Sequence, residues 1–155
     1  MKLLITLVIS TFLNMGVLYA DTAKVVYDLS TGDINKIEKQ LLNSVTAVAK
    51  YYTAEKKTLK VIVVISGDAY KYFIEDLGAS PYASDQEAVG MQKKFKPRLA
   101  ELNDTYGVTF YMCSSGMKAR QIGRDSLYKY VHADMMKSVY LIDAQNNGYA
   151  YMPIH

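Results

Sequence analysis

The fold is decided by the stretch at residues 61–68, which reads Val61-Ile62-Val63-Val64-Ile65-Ser66-Gly67-Asp68. Its first five residues are apolar and β-branched, which favours a strand. Because no polar residue alternates with them, both faces of this strand are expected to be covered, as in a parallel sheet between layers of helices. We therefore predict a strand over residues 59–66 that ends at Gly67.

Patterns of strand and helix alternate on both sides of this stretch. Asp33 is placed to cap the first helix, and Pro97 would interrupt or restart the third. Residues 78–88 show no period and are predicted to form a loop. The segments are strands over 24–29 and 108–113, and helices over about 34–57, 69–77, 91–106 and 117–123. Such alternation indicates parallel βαβ units, and thus an α/β domain with a mainly parallel sheet of about five strands.

The C-terminal quarter allows two assignments. In one, residues 130–135 form a strand and residues 137–146 a helix. In the other, residues 139–142 form the strand. In both, the Asn-Asn-Gly sequence at 146–148 marks a turn, and residues 149–154 form the last strand.

Residues 1–20 have the pattern of a cleavable export signal. Lys2 is the only charge before Asp21, an apolar stretch follows it, and Ala20 supplies a small residue at the cut. The alternative is a membrane anchor, but three polar residues make the stretch marginal for a span of about 20 apolar residues: Ser10, Thr11 and Asn14. We predict removal of residues 1–20, one domain over residues 21–155 without a stable membrane anchor, and export to the periplasm.

The charge balance does not favour nucleic acid as a partner. The formal net charge is +3, and loss of Lys2 with the leader lowers it by one. No basic run with interleaved aromatic residues is present, which is the pattern expected for tracking phosphates. The expected partners are therefore small molecules or other proteins.

The sequence has one cysteine, Cys113, at the predicted end of a core strand. In open parallel sheets, ligands and chemistry gather beyond the carboxyl ends of the strands. The helix start that follows offers free N–H groups, and basic residues come soon after, so both would favour a thiolate. The residues that would surround the sulfur are Ser114, Ser115, Gly116, Lys118, Arg120 and Arg124. The alternative is that an unpaired cysteine only fills space in the core.

Several other residues are candidates for a functional role. Gly67 is expected at the same sheet edge, with Asp68 capping a helix. Ser114 and Ser115 lack the surroundings of a nucleophilic serine and are expected to cap the next helix. The two histidines, His132 and a solvated His155, have no ligand spacing, so we predict no metal site and no cofactor.

The sequence resembles the DsrE/DsrF-like sulfur-relay family from about residue 25 to residue 154. The matching pieces are Val26-Tyr27-Asp28-Leu29, Leu41-Leu42-Asn43, Val63-Val64-Ile65-Ser66-Gly67, Tyr106-Gly107-Val108, Tyr111-Met112-Cys113 and Gln145-Asn146-Asn147-Gly148-Tyr149-Ala150-Tyr151. The resemblance implies a three-layer flavodoxin-like fold and a homo- or hetero-oligomer. It also favours the first C-terminal assignment, with residues 130–135 as strand and 137–146 as helix.

In sulfurtransferase members of that family, a cysteine at the position of Cys113 accepts sulfur as a persulfide. The resemblance therefore implies a sulfur carrier or sulfurtransferase. Its partner would be a sulfur donor or acceptor protein, or a small sulfur compound. Two features depart from the pattern: the export signal, and Ser66 where relatives often have histidine.

Two other functions stay open on the sequence. In the first, Cys113 is structural and a tyrosine-rich surface serves a non-catalytic oligomeric binding module. In the second, Cys113 is a redox sensor that forms an intermolecular disulfide. Some of the tyrosines are expected to lie at a homo-oligomer contact. The candidates are Tyr51, Tyr52, Tyr70, Tyr72, Tyr82, Tyr128, Tyr130 and Tyr140.

Overall fold

The computed structural model describes residues 22–155, so the predicted leader lies outside the described residues. Its centre is a five-stranded sheet in the order β4-β3-β2-β1-β5, with every pair of neighbouring strands parallel. The strands are β1 (Ala23–Leu29), β2 (Leu59–Ile65), β3 (Thr109–Met112), β4 (Val131–His132) and β5 (Ala150–Ile154). The α/β class and the parallel five-stranded sheet are therefore confirmed.

Strand β2 occupies the middle of the sheet, as its apolar sequence predicts. It pairs with β1 in the register Val26↔Ile62 and with β3 in the register Val64↔Tyr111. The side chains of Val63 and Val64 point to opposite faces, and both are fully buried. The carboxyl half of β2 is thus covered on both sides.

One face of the sheet is covered by the two longest helical segments. The first runs through α1 (Ile34–Lys36), a π-helical stretch (Ile37–Asn43) and α2 (Ser44–Ala54), and the second is α3 (Gln86–Asp104). Asp33 caps the first segment, because its carboxylate accepts hydrogen bonds from the N–H groups of Asn35 (2.8 Å) and Lys36 (3.1 Å). These helices and the sheet enclose the larger apolar core of the described residues.

The opposite face is covered by α5 (Lys137–Asn146). Strands β1 to β4 advance across the sheet in one direction, whereas the connection from β4 to β5 returns in the other. A right-handed crossover in the return direction must place its helix on the other face. The core beneath α5 is small, and its buried residues are Val26, Val64, Tyr140 and Ala144. The predicted 137–146 helix is confirmed.

Several boundaries differ from the sequence prediction. Helix α3 begins at Gln86 because Asp85 caps it through the Ala88 N–H (2.9 Å), and it continues through Pro97. The first helical segment ends at Ala54, before Lys56 adopts a left-handed φ of 54°. The predicted 69–77 helix is replaced by two 3₁₀ segments, Gly67–Phe73 and Leu77–Ala79. A further 3₁₀ segment is formed by Arg124–Ser126.

The tyrosines divide differently from the expectation of a tyrosine-rich surface. Tyr70, Tyr72, Tyr128 and Tyr140 are buried within this chain, whereas Tyr51 is exposed. The buried four therefore serve its own core and cannot cover an oligomer contact.

Within residues 22–155, no helix combines the length and the apolar character that a membrane crossing needs.

Candidate functional site

Cys113 lies at the carboxyl edge of the sheet, where the sequence places it. It directly follows β3, and its N–H donates to the Ile65 carbonyl at the end of β2 (2.9 Å). The residue is partly exposed, so its sulfur is neither sealed in the core nor free in solvent. A strand end of this kind holds a side chain firmly while leaving it accessible to a reactant.

The helix after Cys113 begins earlier than the sequence predicts. Helix α4 (Ser114–Ala119) has Cys113 itself at its N-cap position, and the Cys113 carbonyl accepts a hydrogen bond from the Met117 N–H (3.1 Å). Ser114 and Ser115 therefore lie in the first turn of the helix. The prediction that they cap it is wrong.

Hydrogen-bond donors surround the Cys113 sulfur. The Lys137 N–H, at the start of α5, donates to Sγ at 3.2 Å. Burial raises the pKa of the Cys113 thiol, but donors acting on the sulfur outweigh it, so the pKa lies below its ordinary value. These donors are the N–H groups of Gly116, Lys137 and Ser115. The site therefore favours the thiolate, which is the nucleophilic form.

Tyr70 supports the turn that carries the thiol. Its hydroxyl donates to the Cys113 carbonyl oxygen at 2.9 Å. Burial, and then the neighbouring Cys113 thiolate, raises the pKa of Tyr70, so the hydroxyl keeps its proton and remains a donor. A Cβ added at Gly116 would lie 1.9 Å from the Tyr70 Oη. Glycine at position 116 therefore permits Tyr70 to approach α4.

The basic residues named from the sequence lie in different surroundings. Arg120 ends α4, and its guanidinium lies 5.0 Å from the centre of the Tyr70 ring, within cation–π range. Burial raises the pKa of Tyr82, and Arg120 opposes this rise, which indicates that Arg120 faces the Tyr82 hydroxyl as well. Lys118 is exposed on α4.

Gly67 shapes the backbone of the same edge. Its φ is +58°, and an added Cβ would lie 2.3 Å from the Ser30 carbonyl oxygen. Two backbone hydrogen bonds join the segments on either side of Gly67 to the end of β1. The Ser66 N–H donates to the Leu29 carbonyl oxygen (2.9 Å), and the Asp68 N–H donates to the Ser30 carbonyl oxygen (3.0 Å). Gly67 is thus required by the close approach of two chain segments.

Asp28 and Lys137 form an ion pair that the sequence analysis did not assign. Lys137 Nζ lies 2.8 Å from Asp28 Oδ1, and the Tyr151 hydroxyl donates to Oδ2 at 2.9 Å. The available signal was a carboxylate that follows three consecutive apolar residues of the strand, because a buried charge requires a partner. Nothing in the local sequence identifies Lys137, which lies far along the chain.

His155 is predicted to be solvated, but two hydrogen bonds join it to other parts of the chain. Its Nδ1 shares a hydrogen bond with Ser30 Oγ (2.7 Å), and its carbonyl oxygen accepts one from Lys36 Nζ (2.5 Å). Among residues 22–155, no three histidine, cysteine or acidic side chains are grouped as metal ligands.

A large cavity in the described part of the chain lies elsewhere. It has a volume of about 530 Å³ and lies between β1, β5 and α2, with a mostly apolar lining that includes Tyr27, Val48, Tyr52 and Met152. Cys113 does not line it. The arrangement at Cys113 is therefore suited to a small reactant or to a partner's side chain that approaches the edge of the sheet.

Comparison with known proteins agrees with the fold. The model of the DsrE/DsrF-like family matches residues 24–154. The fold is similar to a protein of unknown function, MTH1491, from Methanobacterium thermoautotrophicum, with a TM-score of 0.61, 18% identity, and coverage of 84% of this chain and 98% of that chain. No curated protein matches. The family points to a role in sulfur relay in general terms. The chain is a member of the DsrE/DsrF-like family.

Proposed function

We propose that this protein is an exported sulfur carrier in which Cys113 accepts sulfane sulfur as a persulfide. The observation that supports this most is the partly exposed Cys113 sulfur, which receives the Lys137 N–H at 3.2 Å and has a lowered thiol pKa. Donors grouped at the sulfur also favour the persulfide anion, whose negative charge lies on the terminal sulfur, one S–S bond beyond Sγ.

The transfer step conserves charge and needs no external oxidant or reductant. The Cys113 thiolate attacks the sulfane sulfur of a donor, forming a new S–S bond. The donor's own bond to that sulfur breaks, and its electron pair leaves with the donor as a thiolate or, from thiosulfate, as sulfite. Cys113 then carries a persulfide anion.

Release repeats the same chemistry in the other direction. A thiolate of an acceptor attacks the outer sulfur of the persulfide, and the Cys113 thiolate leaves with the bonding electrons. The partners are a sulfur donor or acceptor protein, or a small sulfur compound. Whether the protein acts as a carrier or as a sulfurtransferase depends on which partner it meets.

The predicted leader supports a periplasmic location for this chemistry. Removal of residues 1–20 would leave the chain from Asp21 as a protein without an anchor, and we propose that it works there as a homo-oligomer. Intact mass of protein recovered from the periplasm tests the cleavage, and a mass that still includes residues 1–20 would contradict it. Sedimentation of the mature chain as a monomer would contradict the oligomer.

Intact mass spectrometry tests the function directly. The mature protein and Cys113→Ser are incubated with polysulfide or thiosulfate, and their masses are compared. We expect the wild-type chain to gain one or more sulfur atoms, which a reductant removes, and the variant to gain none. No adduct on a chain whose Cys113 is still alkylated by iodoacetamide would overturn the proposal and leave the binding module as the better account.

A further inference from the structure

Among residues 22–155, Asp28 is the only charged residue that the chain buries, with 2% of its surface exposed. It lies on β1, on the face that α5 covers. Burying a carboxylate costs several kcal/mol unless partners compensate, so a buried charge in a small domain calls for an explanation. Cys113 chemistry, as described above, makes no use of it.

The partners of Asp28 come from α5, from β5 and from the residue that follows β5. Lys137 Nζ at the start of α5 lies 2.8 Å from Oδ1, and the Tyr151 hydroxyl on β5 donates to Oδ2 at 2.9 Å. His155 Nε2 lies 3.9 Å from Oδ2. One carboxylate on β1 therefore joins the last strand to the first residue of α5.

Lys137 connects this carboxylate to the thiol. Its ammonium contacts Asp28, while its backbone N–H donates to Cys113 Sγ at 3.2 Å. The segment before it is held as well, because the Ser114 N–H donates to the Met135 carbonyl (3.0 Å). The ion pair of its side chain and the hydrogen bond of its N–H thus hold the first residue of α5 against both β1 and the sulfur.

We propose that Asp28 is a positioning residue for Cys113, which anchors Lys137 so that the first N–H of α5 stays on the sulfur. The proposal rests on the proposed role of Cys113 as a sulfur acceptor, and it adds a residue from a distant strand to that site. Asp28 does not touch the reacting atoms and acts only through Lys137.

Two roles of Asp28 predict opposite effects of removing its charge. If it acted on the thiol through space, its negative charge would disfavour the thiolate, and neutralising it would lower the pKa of Cys113. If it positions the Lys137 N–H, neutralising it loosens that donor and raises the pKa. The other ionisable groups around the sulfur and its partners are Tyr70, Arg120 and the Lys137 ammonium.

The test is the pH profile of iodoacetamide alkylation of Cys113 in wild type and Asp28→Asn. We expect the midpoint to rise in the variant and alkylation at neutral pH to slow by about threefold to tenfold, in line with a weakened hydrogen bond to the thiolate. Hydrogen exchange at the Lys137 amide should become faster. Asp143→Asn removes an exposed carboxylate from the same helix and should leave both unchanged. A midpoint that falls or does not move in Asp28→Asn would overturn the proposal.

Tyr151→Phe gives a second test if Asp28→Asn does not fold. Tyr151 is 43% exposed, so the loss of its hydroxyl removes one anchor of Asp28 with little disturbance of the core. We expect a smaller rise in the same direction, and an unchanged profile would count against the positioning role. Because alkylation needs no sulfur donor, a wild-type protein that takes up no sulfur would refute the carrier function without affecting this result.

Discussion

The two faces of the sheet are built for different tasks. The face beneath α1, α2 and α3 buries a large apolar core in which Phe95 and Leu99 are fully enclosed. The face beneath α5 has only a small apolar cluster, and beside it the buried carboxylate of Asp28 pairs with the partly exposed Lys137. Apolar burial stabilises the fold on the first face, whereas polar contacts on the second face hold the start of α5 against Cys113.

The largest effect on stability is expected from the first face. Phe95→Ala removes a fully buried ring that packs against Tyr72, with ring centres 5.4 Å apart. We expect the free energy of unfolding to fall by about 3–5 kcal/mol, measured by urea denaturation. Alkylation of Cys113 in the folded fraction should stay at the wild-type rate, and a large change there would break the division between the faces.

Gly116→Ala should affect stability and reactivity together. The added Cβ would meet the Tyr70 Oη at 1.9 Å and force Tyr70 or α4 to move. We expect a loss of about 1–3 kcal/mol, as for other overpacked sites, together with slower alkylation of Cys113.

The matched control for this change is Gly90→Ala in α3, where an added Cβ has nothing within 4 Å. Because alanine is the better helix former, this variant should gain about 0.5–1 kcal/mol. Equal behaviour of the two variants in urea denaturation would show that the contact at Gly116 is not restrictive.

Tyr140→Phe tests the second face alone. The Tyr140 hydroxyl accepts the N–H groups of Asp134 (2.8 Å) and Met135 (3.0 Å), and so holds the segment between β4 and α5. Its removal should cost about 1–2 kcal/mol and slow the alkylation of Cys113. Tyr51→Phe, at an exposed position, is the control that should change neither. An unchanged alkylation rate in Tyr140→Phe would contradict the role given to this segment.

The smallest effect, and a pH-dependent one, is expected at Asp85, the cap of α3. The Lys71 ammonium (2.8 Å), and then the Ala88 N–H, hold the pKa of Asp85 below its ordinary value. Its contribution is therefore complete above the unfolded pKa and is lost as the pH falls through the lower folded value. Asp85→Asn keeps a capping side chain but loses the charge that pairs with Lys71, so it should cost about 0.5–1 kcal/mol at neutral pH. The difference from wild type in urea denaturation should shrink in acid. A difference that does not depend on pH would exclude the carboxylate charge as its cause.

The fold could be read from the sequence because its signals are local. An unbroken β-branched run identified β2, and an aspartate before an apolar stripe identified the start of α1. The start of α3 was missed because Asp85 stands in a segment rich in polar residues, where no period supports the cap. The bounds of α4 were also wrong, since Cys113 at an N-cap position is not a residue that capping preferences indicate.

Only part of the candidate site could be inferred in this way. Cys113 and Gly116 follow from their place at a strand end, but their partners are distant in sequence. Tyr70 reaches the site from the 3₁₀ turn after β2, and Lys137 reaches it from α5 on the other face of the sheet. Such contacts depend on topology, which no local pattern specifies.

Titration of the Cys113 thiol tests the central claim most directly. The ultraviolet absorbance of the thiolate is followed against pH in the folded protein and again in urea, with Cys113→Ser subtracted as the tyrosine background. We expect the midpoint of the folded protein to lie below that of the unfolded chain, whose thiol should titrate near its ordinary pKa of about 8.5. A folded midpoint equal to or above the unfolded one would show that the sheet edge does not activate Cys113, and would contradict the account.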